Sequence, residues 1–127
     1  MTPSGRRATF WLPPLLYMAA IFYMSSRSDP VPQVTVNVWD KLLHFLLYAG
    51  LAALFCRALL GEGMPSRPAF WAAALLASAY GASDEYHQLF VPLRDPDLQD
   101  WIADTLGALF GAMPCLVDRV RDRFSRA

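Results

Sequence analysis

Charge is scarce in this chain. Of its 127 residues only 17% are Asp, Glu, Lys or Arg, against about 25% in an ordinary soluble domain. The 11 basic side chains cancel the 11 acidic ones, and no basic stripe interleaved with aromatics appears, which excludes nucleic acid as a partner class. Also missing are GxSxG, HExxH, a P-loop and a CxxC pair, the common signatures of nucleophilic, zinc-hydrolytic, nucleotide and thiol chemistry. No internal repeat is present, and the length leaves room for one domain.

Apolar residues are what the chain has in plenty, at 55%. They fall in four runs, 8–26, 39–60, 69–90 and 99–117, separated by the Pro- or Gly-rich connectors SRSDPVPQVTVN, GEGMPSRP and VPLRDPDL. A run of about 20 residues makes a helix roughly 30 Å long, the thickness of a bilayer core. Short connectors make sequential helices antiparallel. Pro13 and Pro14 lie inside the first run. Because proline suits a first helical turn, the regular helix is expected to begin near Pro13. Residues 1–26 read as a retained helix and not a cleaved signal, since no small-residue cleavage site follows the apolar stretch.

Positive residues set the orientation. With the N-terminus cytoplasmic, Arg6, Arg7, Arg57, Arg67, Arg119, Arg121, Arg123 and Arg126 lie inside, and only Arg27, Lys41 and Arg94 outside, so both termini are expected in the cytoplasm. The basic tail then lies along the anionic inner leaflet. Cys56 and Cys115 fall in the inner halves of their helices, where no oxidising compartment supports a disulfide. They are read as small apolar packers. The resulting expectation is an all-α integral membrane protein of the cell membrane: a four-helix antiparallel bundle over residues 8–117, followed by a basic cytoplasmic tail over 118–127.

In that topology the intramembrane ionisable groups gather at the outer end. Helix 1 leaves through Ser25, Ser26 and Ser28, helix 2 enters with Asp40, Lys41 and His44, helix 3 leaves through Asp84, Glu85, His87 and Gln88, and helix 4 enters with Asp100 and Asp104. Residues three or four apart share a helix face. Asp40, His44 and Tyr48 therefore form one stripe, Gly81, Asp84, Glu85 and Gln88 another, and Asp100, Asp104, Gly107 and Gly111 a third. The GALFG segment is a small-xxx-small pattern that lets helix backbones touch, so the helix 4 acids are expected on its packing side. An acid facing lipid costs about 2–3 kcal/mol on insertion scales; turned inward, such groups line a polar cavity open to the extracytoplasmic side and are candidates for function.

At these residues the sequence resembles the VanZ-like family, named for a protein linked to teicoplanin resistance. The matching pieces are FYMSSRS, DKLLHFLLYAGL and DEYHQLFVPLRDPDLQDWIADTLGALFG, covering roughly Phe22 to Gly111. The resemblance implies a small integral membrane protein whose characteristic polar residues are Ser26, Asp40, Lys41, His44, Glu85, Gln88, Arg94 and Asp100. Asp104 stands where family members often have asparagine, and Leu93 where glycine often precedes the arginine.

Three functional readings follow. In the first, the cavity binds the head of an amphiphile whose tail lies between helices. The resemblance points to a lipid-linked cell-wall precursor or a lipoglycopeptide such as teicoplanin, with Ser26, Asp40, Lys41, Gln88, Arg94 and Asp100 as ligand-binding residues and Arg94 holding a phosphate or carboxylate. In the second, the protein is a membrane-embedded hydrolase or transferase on a lipid phosphate. Glu85 or Asp104 is then the general base, His44 the acid or shuttle oriented by Asp40, and Arg94 the stabiliser of developing charge. Metal ligation by His44, Glu85 and Asp100 rests on two scattered histidines, and no metal or cofactor is assigned. A proton-coupled transporter is the third reading and would require a homo-oligomer, since four helices are few. The expected partners are membrane lipids and the amphiphile.

Overall fold

A computed structural model of the protein describes residues 2–26, 37–92 and 97–117, with side chains from Asp40 onward in the second helix. The described residues form four α-helices and no strand: α1 (Pro3–Ser26), α2 (Asn37–Gly61), α3 (Ser66–Gln88) and α4 (Leu98–Ala112), the last extended by a 3-10 turn over Met113–Leu116. Arg94, Leu93, the first connector after Ser26 and the tail 118–127 lie outside the described residues.

Helix α1 begins ten residues before the expected position at Pro13 and carries both prolines in its interior. A proline lacks the N–H that would bond the carbonyl four residues earlier, so Pro13 frees the carbonyl of Thr9. The guanidinium of Arg57 on α2 donates to that oxygen at 3.1 Å. A side chain from a neighbouring helix thus repairs the broken ladder, and the helix continues through the prolines.

The turn from α2 to α3 ends one helix by a local rule. Gly63 adopts φ 89°, Met64 N–H bonds the Leu59 carbonyl and Gly63 N–H bonds that of Leu60, which is the Schellman arrangement that a glycine permits. At the other end Asp97 caps α4, its carboxylate accepting from Gln99 N–H at 2.9 Å.

Sequential helices run antiparallel, so α2 and α4 are parallel to each other, and their seam is the most extensive in the molecule. A Cβ added at Gly107 would lie 2.1 Å from the Phe45 carbonyl oxygen, and one at Gly111 2.0 Å from that of Ala49. The two backbones touch there, and only glycine fits. Parallel travel brings Cys56 and Cys115 to one level, with Cα atoms 5.7 Å apart and a disulfide between them. This corrects the reading of the two cysteines as separate packers: the close seam places their Cα atoms within the 4.4–6.8 Å that the bond requires.

Around this seam the core is built from small residues, among them Ala69, Ala73, Ala77, Ala108 and Ala112, with Tyr48, Leu51 and Leu60 as the largest fully buried apolar groups. Large apolar side chains point outward instead. Leu16, Tyr23, Leu46, Leu75, Phe90 and Phe110 are each more than half exposed, and every helix contributes to this girdle, far more than a soluble monomer displays. By length and composition two of the helices can cross a membrane, α1 and the Asp40–Gly61 part of α2. Helix α4 is shorter, 15 residues, because Pro114 turns the chain into the 3-10 geometry.

Candidate functional site

One end of the seam is polar. On α2, Asp40 and His44 lie one turn apart on the face toward α4, where Asp100 and Asp104 are likewise one turn apart. His44 Nδ1 meets Asp104 Oδ1 at 2.8 Å, while its Nε2 stands 3.9 Å from Asp40 Oδ1 and 3.7 Å from Asp100 Oδ2. Asp104 is 0% exposed, and its second oxygen has no hydrogen-bond partner among the described residues. The imidazole is therefore fixed in orientation by a fully buried carboxylate, with its far nitrogen turned toward two more acids.

Lys41 ties the mouth of the site together. Its ammonium donates to Asp100 Oδ1, to Asp97 Oδ2 at 2.9 Å, and lies 3.6 Å from Asp40. Asp97, outside the apolar runs, is held below the usual carboxylate range by the Lys41 hydrogen bond and by Gln99 N–H. From α3, Glu85 Oε2 accepts the backbone N–H of Asp97 at 2.8 Å, while its other oxygen is buried without a partner among the described residues. Glu85, His44 and Asp104 also approach one another, with one ligating atom of each within 4.8 Å of the others.

Beside the acids lies a cavity of about 110 Å³ between α1, α2 and α3. Its polar wall is Ser25, Asp40, His44, Tyr48, Asp84 and Gln88; its apolar wall is Ile21, Met24, Leu43 and Leu47. The hydroxyls of Ser25 and Tyr48 are buried and have no hydrogen-bond partner among the described residues. Buried polar groups are ordinarily satisfied, so two orphan hydroxyls on one cavity mark a place where something else supplies the partner.

Of the residues singled out from sequence, Asp40, Lys41, His44, Glu85, Asp100 and Asp104 come together at one level, and Gln88 lines the adjoining cavity. Ser26 stands apart: it is exposed, donates to the Phe22 carbonyl and meets His87 Nε2 at 3.0 Å. A single residue step turns a helix by about 100°, and it is Ser25 that faces the cavity. His87 packs on the Phe22 ring at 4.5 Å and takes no part in the acid cluster. Arg94 is outside the described residues. Sequence reasoning did not single out Asp97, although an aspartate just before an apolar run is a helix-start signal.

No curated protein and no solved structure matches the chain. The model of one family, VanZ/LLP1, matches residues 4–118. That match takes in all four helices and every described residue of the polar site, and the chain belongs to the VanZ/LLP1 family.

Proposed function

We propose that this protein is a multi-pass protein of the cell membrane that binds the head group of an amphiphile in the cavity beside the acid cluster. The observation that carries the reading is the mixed lining of that cavity, acids and orphan hydroxyls on one wall and aliphatic side chains on the other. The exposed apolar girdle supports a lipid environment for the whole bundle. A volume of about 110 Å³ holds a few water-sized groups, each roughly 30 Å³. Only part of a head group enters, and the remainder of the molecule lies along the helices.

Charge narrows the ligand. The described polar residues include Asp40, Asp84, Glu85, Asp97, Asp100 and Asp104, and Lys41 is already shared among three of them. An anion entering this wall meets repulsion. Hydroxyl or amino groups suit it, as on the sugar of a lipid-linked cell-wall precursor or a lipoglycopeptide. With Lys41 engaged, Arg94, which the family resemblance singles out, is the side chain assigned to a phosphate or carboxylate of the same ligand. Family membership accords with a role in glycopeptide resistance or in the cell envelope, in an orientation with both termini cytoplasmic.

A second reading is favoured by the His44–Asp104 pair. An imidazole oriented by a buried carboxylate is the arrangement of a general acid or base, and it would serve a hydrolase or transferase on a lipid phosphate. Mass spectrometry of the protein extracted with its native lipids tests the binding reading. A sugar- or amine-bearing amphiphile that is retained by the wild type and lost in Asp84→Asn supports it; a protein that retains bulk phospholipid alone, unchanged in that variant, refutes it. Turnover of a labelled polyprenyl-phosphate lipid, abolished in His44→Gln, would replace binding by catalysis.

A further inference from the structure

We propose that Asp40, His44 and Asp100 form the binding site of one divalent transition-metal ion, zinc in type, on the wall of the cavity, with Asp104 and Lys41 as supporting residues. The three ligand atoms would be His44 Nε2, Asp40 Oδ1 and Asp100 Oδ2. The nitrogen is 3.9 Å from the first oxygen and 3.7 Å from the second, and the three residues each offer one ligand atom within 4.8 Å of the others. These separations are too long for hydrogen bonds. They are near those of atoms bound to one ion: donors about 2.0–2.2 Å from a tetrahedral centre stand roughly 3.3–3.6 Å apart. Closing by a few tenths of an ångström completes three corners, and the fourth opens toward the cavity that Asp40 and His44 line.

The surroundings are those a metal-binding histidine has. A ligating imidazole almost always gives its other ring nitrogen to a carboxylate, which fixes its orientation. Here Nδ1 is held by Asp104 at 2.8 Å. Asp100 is oriented in the same way: Lys41 takes its Oδ1, leaving Oδ2 toward His44. The alternative set of Nδ1, Glu85 and Asp104 is weaker, because a 2.8 Å contact between nitrogen and oxygen is already closed by a proton.

An independent observation points to an occupant. Tyr48 is 1% exposed and Ser25 6%. Both present hydroxyls without a partner among the described residues on the same cavity as Asp40 and His44. A water or ligand oxygen on the open corner of the ion would be the partner that the described residues do not provide. The ion would also balance the surplus of acids left after Lys41. None of this is visible as a sequence motif, because two ligands come from one turn of α2 and the third from α4, with 55 residues between His44 and Asp100, α3 among them.

The proposal deepens the reading of this cavity as a head-group site, since the open corner would receive an oxygen or nitrogen of the ligand. Its test is made without that ligand. The full chain, reconstituted in phosphatidylcholine nanodiscs and stripped with a chelator, is titrated with Zn2+ and Mn2+ by calorimetry and assayed for bound metal. One ion per chain is expected, with affinity lowered more than about tenfold in Asp100→Asn and His44→Gln and by about 10–100-fold in Asp104→Asn. Glu62→Gln, at the opposite end of the bundle, should bind as the wild type does. Absorption of Co2+ added to the stripped wild type reads the site without any substitution: an intense four-coordinate spectrum is expected, and the weak spectrum of the hydrated ion overturns the proposal. Equal metal retention by Asp100→Asn and Glu62→Gln also overturns it. Metal bound by the stripped chain, together with natively extracted protein that retains no sugar- or amine-bearing amphiphile, would sustain the ion site and defeat the head-group reading; an amphiphile retained by a chain that binds no ion would do the opposite.

Discussion

The two halves of the α2–α4 seam are built on opposite principles. Toward the C-terminal ends of the helices the contact is dry and made by backbone: Gly107 against Phe45, Gly111 against Ala49, then the Cys56–Cys115 bond. Toward the N-terminal ends it is wide enough for side chains, and those side chains are Asp40, His44, Asp100 and Asp104. The same helix pair does both because α4 changes from Gly107 to Asp104 in a single turn. The closed half fixes the register, and the register sets the distances in the polar half. Precision at a site of charged groups is here supplied by packing that contains no charge.

The contrast breaks most completely at its glycines. Gly107→Val or Gly111→Leu would push a side chain against a carbonyl oxygen now 2.0–2.1 Å from the position of its Cβ, and the helices must separate. A loss of about 3 kcal/mol is expected, the upper end for overpacking, seen as a fall in the thermal transition of the purified protein together with loss of ligand retention. An unchanged transition would mean that the seam is not close-packed.

Removing the disulfide tests the same half more gently. A Cys56→Ala, Cys115→Ala double variant loses a cross-link spanning a sequence separation of 59, worth about 2–4 kcal/mol. Chemical denaturation in the presence and absence of reductant should reproduce that difference in the wild type and show none in the variant.

The polar half responds differently. Asp104→Asn keeps an oxygen for the imidazole, so its cost should be about 1 kcal/mol, that of weakening one hydrogen bond. Function is expected to fall much further than stability. Equal losses in a melting experiment and a ligand-retention assay would show that Asp104 is a structural residue.

The smallest effect carries the opposite sign. Tyr48→Phe deletes a buried hydroxyl without a partner among the described residues, and removing such a group should leave stability unchanged or raise it by up to about 1 kcal/mol. Ligand retention should decline. A destabilised Tyr48→Phe protein would mean that the hydroxyl has an internal partner.

Much of this arrangement was legible in the sequence because helical spacing is a local property. The stripes Asp40–His44–Tyr48 and Asp100–Asp104–Gly107–Gly111 follow from the 3.6-residue period alone, and the GALFG spacing signals a close helix contact. What could not be read was relative placement. Whether Ser25 or Ser26 faces the cavity depends on the rotation of α1, which is set by Tyr17 bonding the Leu47 carbonyl and Tyr80 bonding that of Met18. The cysteine pair illustrates the same limit. Their depth was readable, but their meeting depends on α2 and α4 being in backbone contact. The continuation of α1 past two prolines was hidden for a similar reason, since the group that compensates is Arg57, 48 residues distant in sequence from Thr9.

Arg57 has a mechanical consequence for the cavity. Two successive prolines leave α1 with consecutive rungs missing from its own ladder, so the segment above them, carrying Ile21 and Ser25, is joined to the segment below by a softer joint than any in α2 or α3. The guanidinium at Thr9 acts as an external splint on that joint. Of the three helices that enclose the cavity, α1 is therefore the compliant one, and flexing it would widen the cavity while the α2–α4 pair stays still.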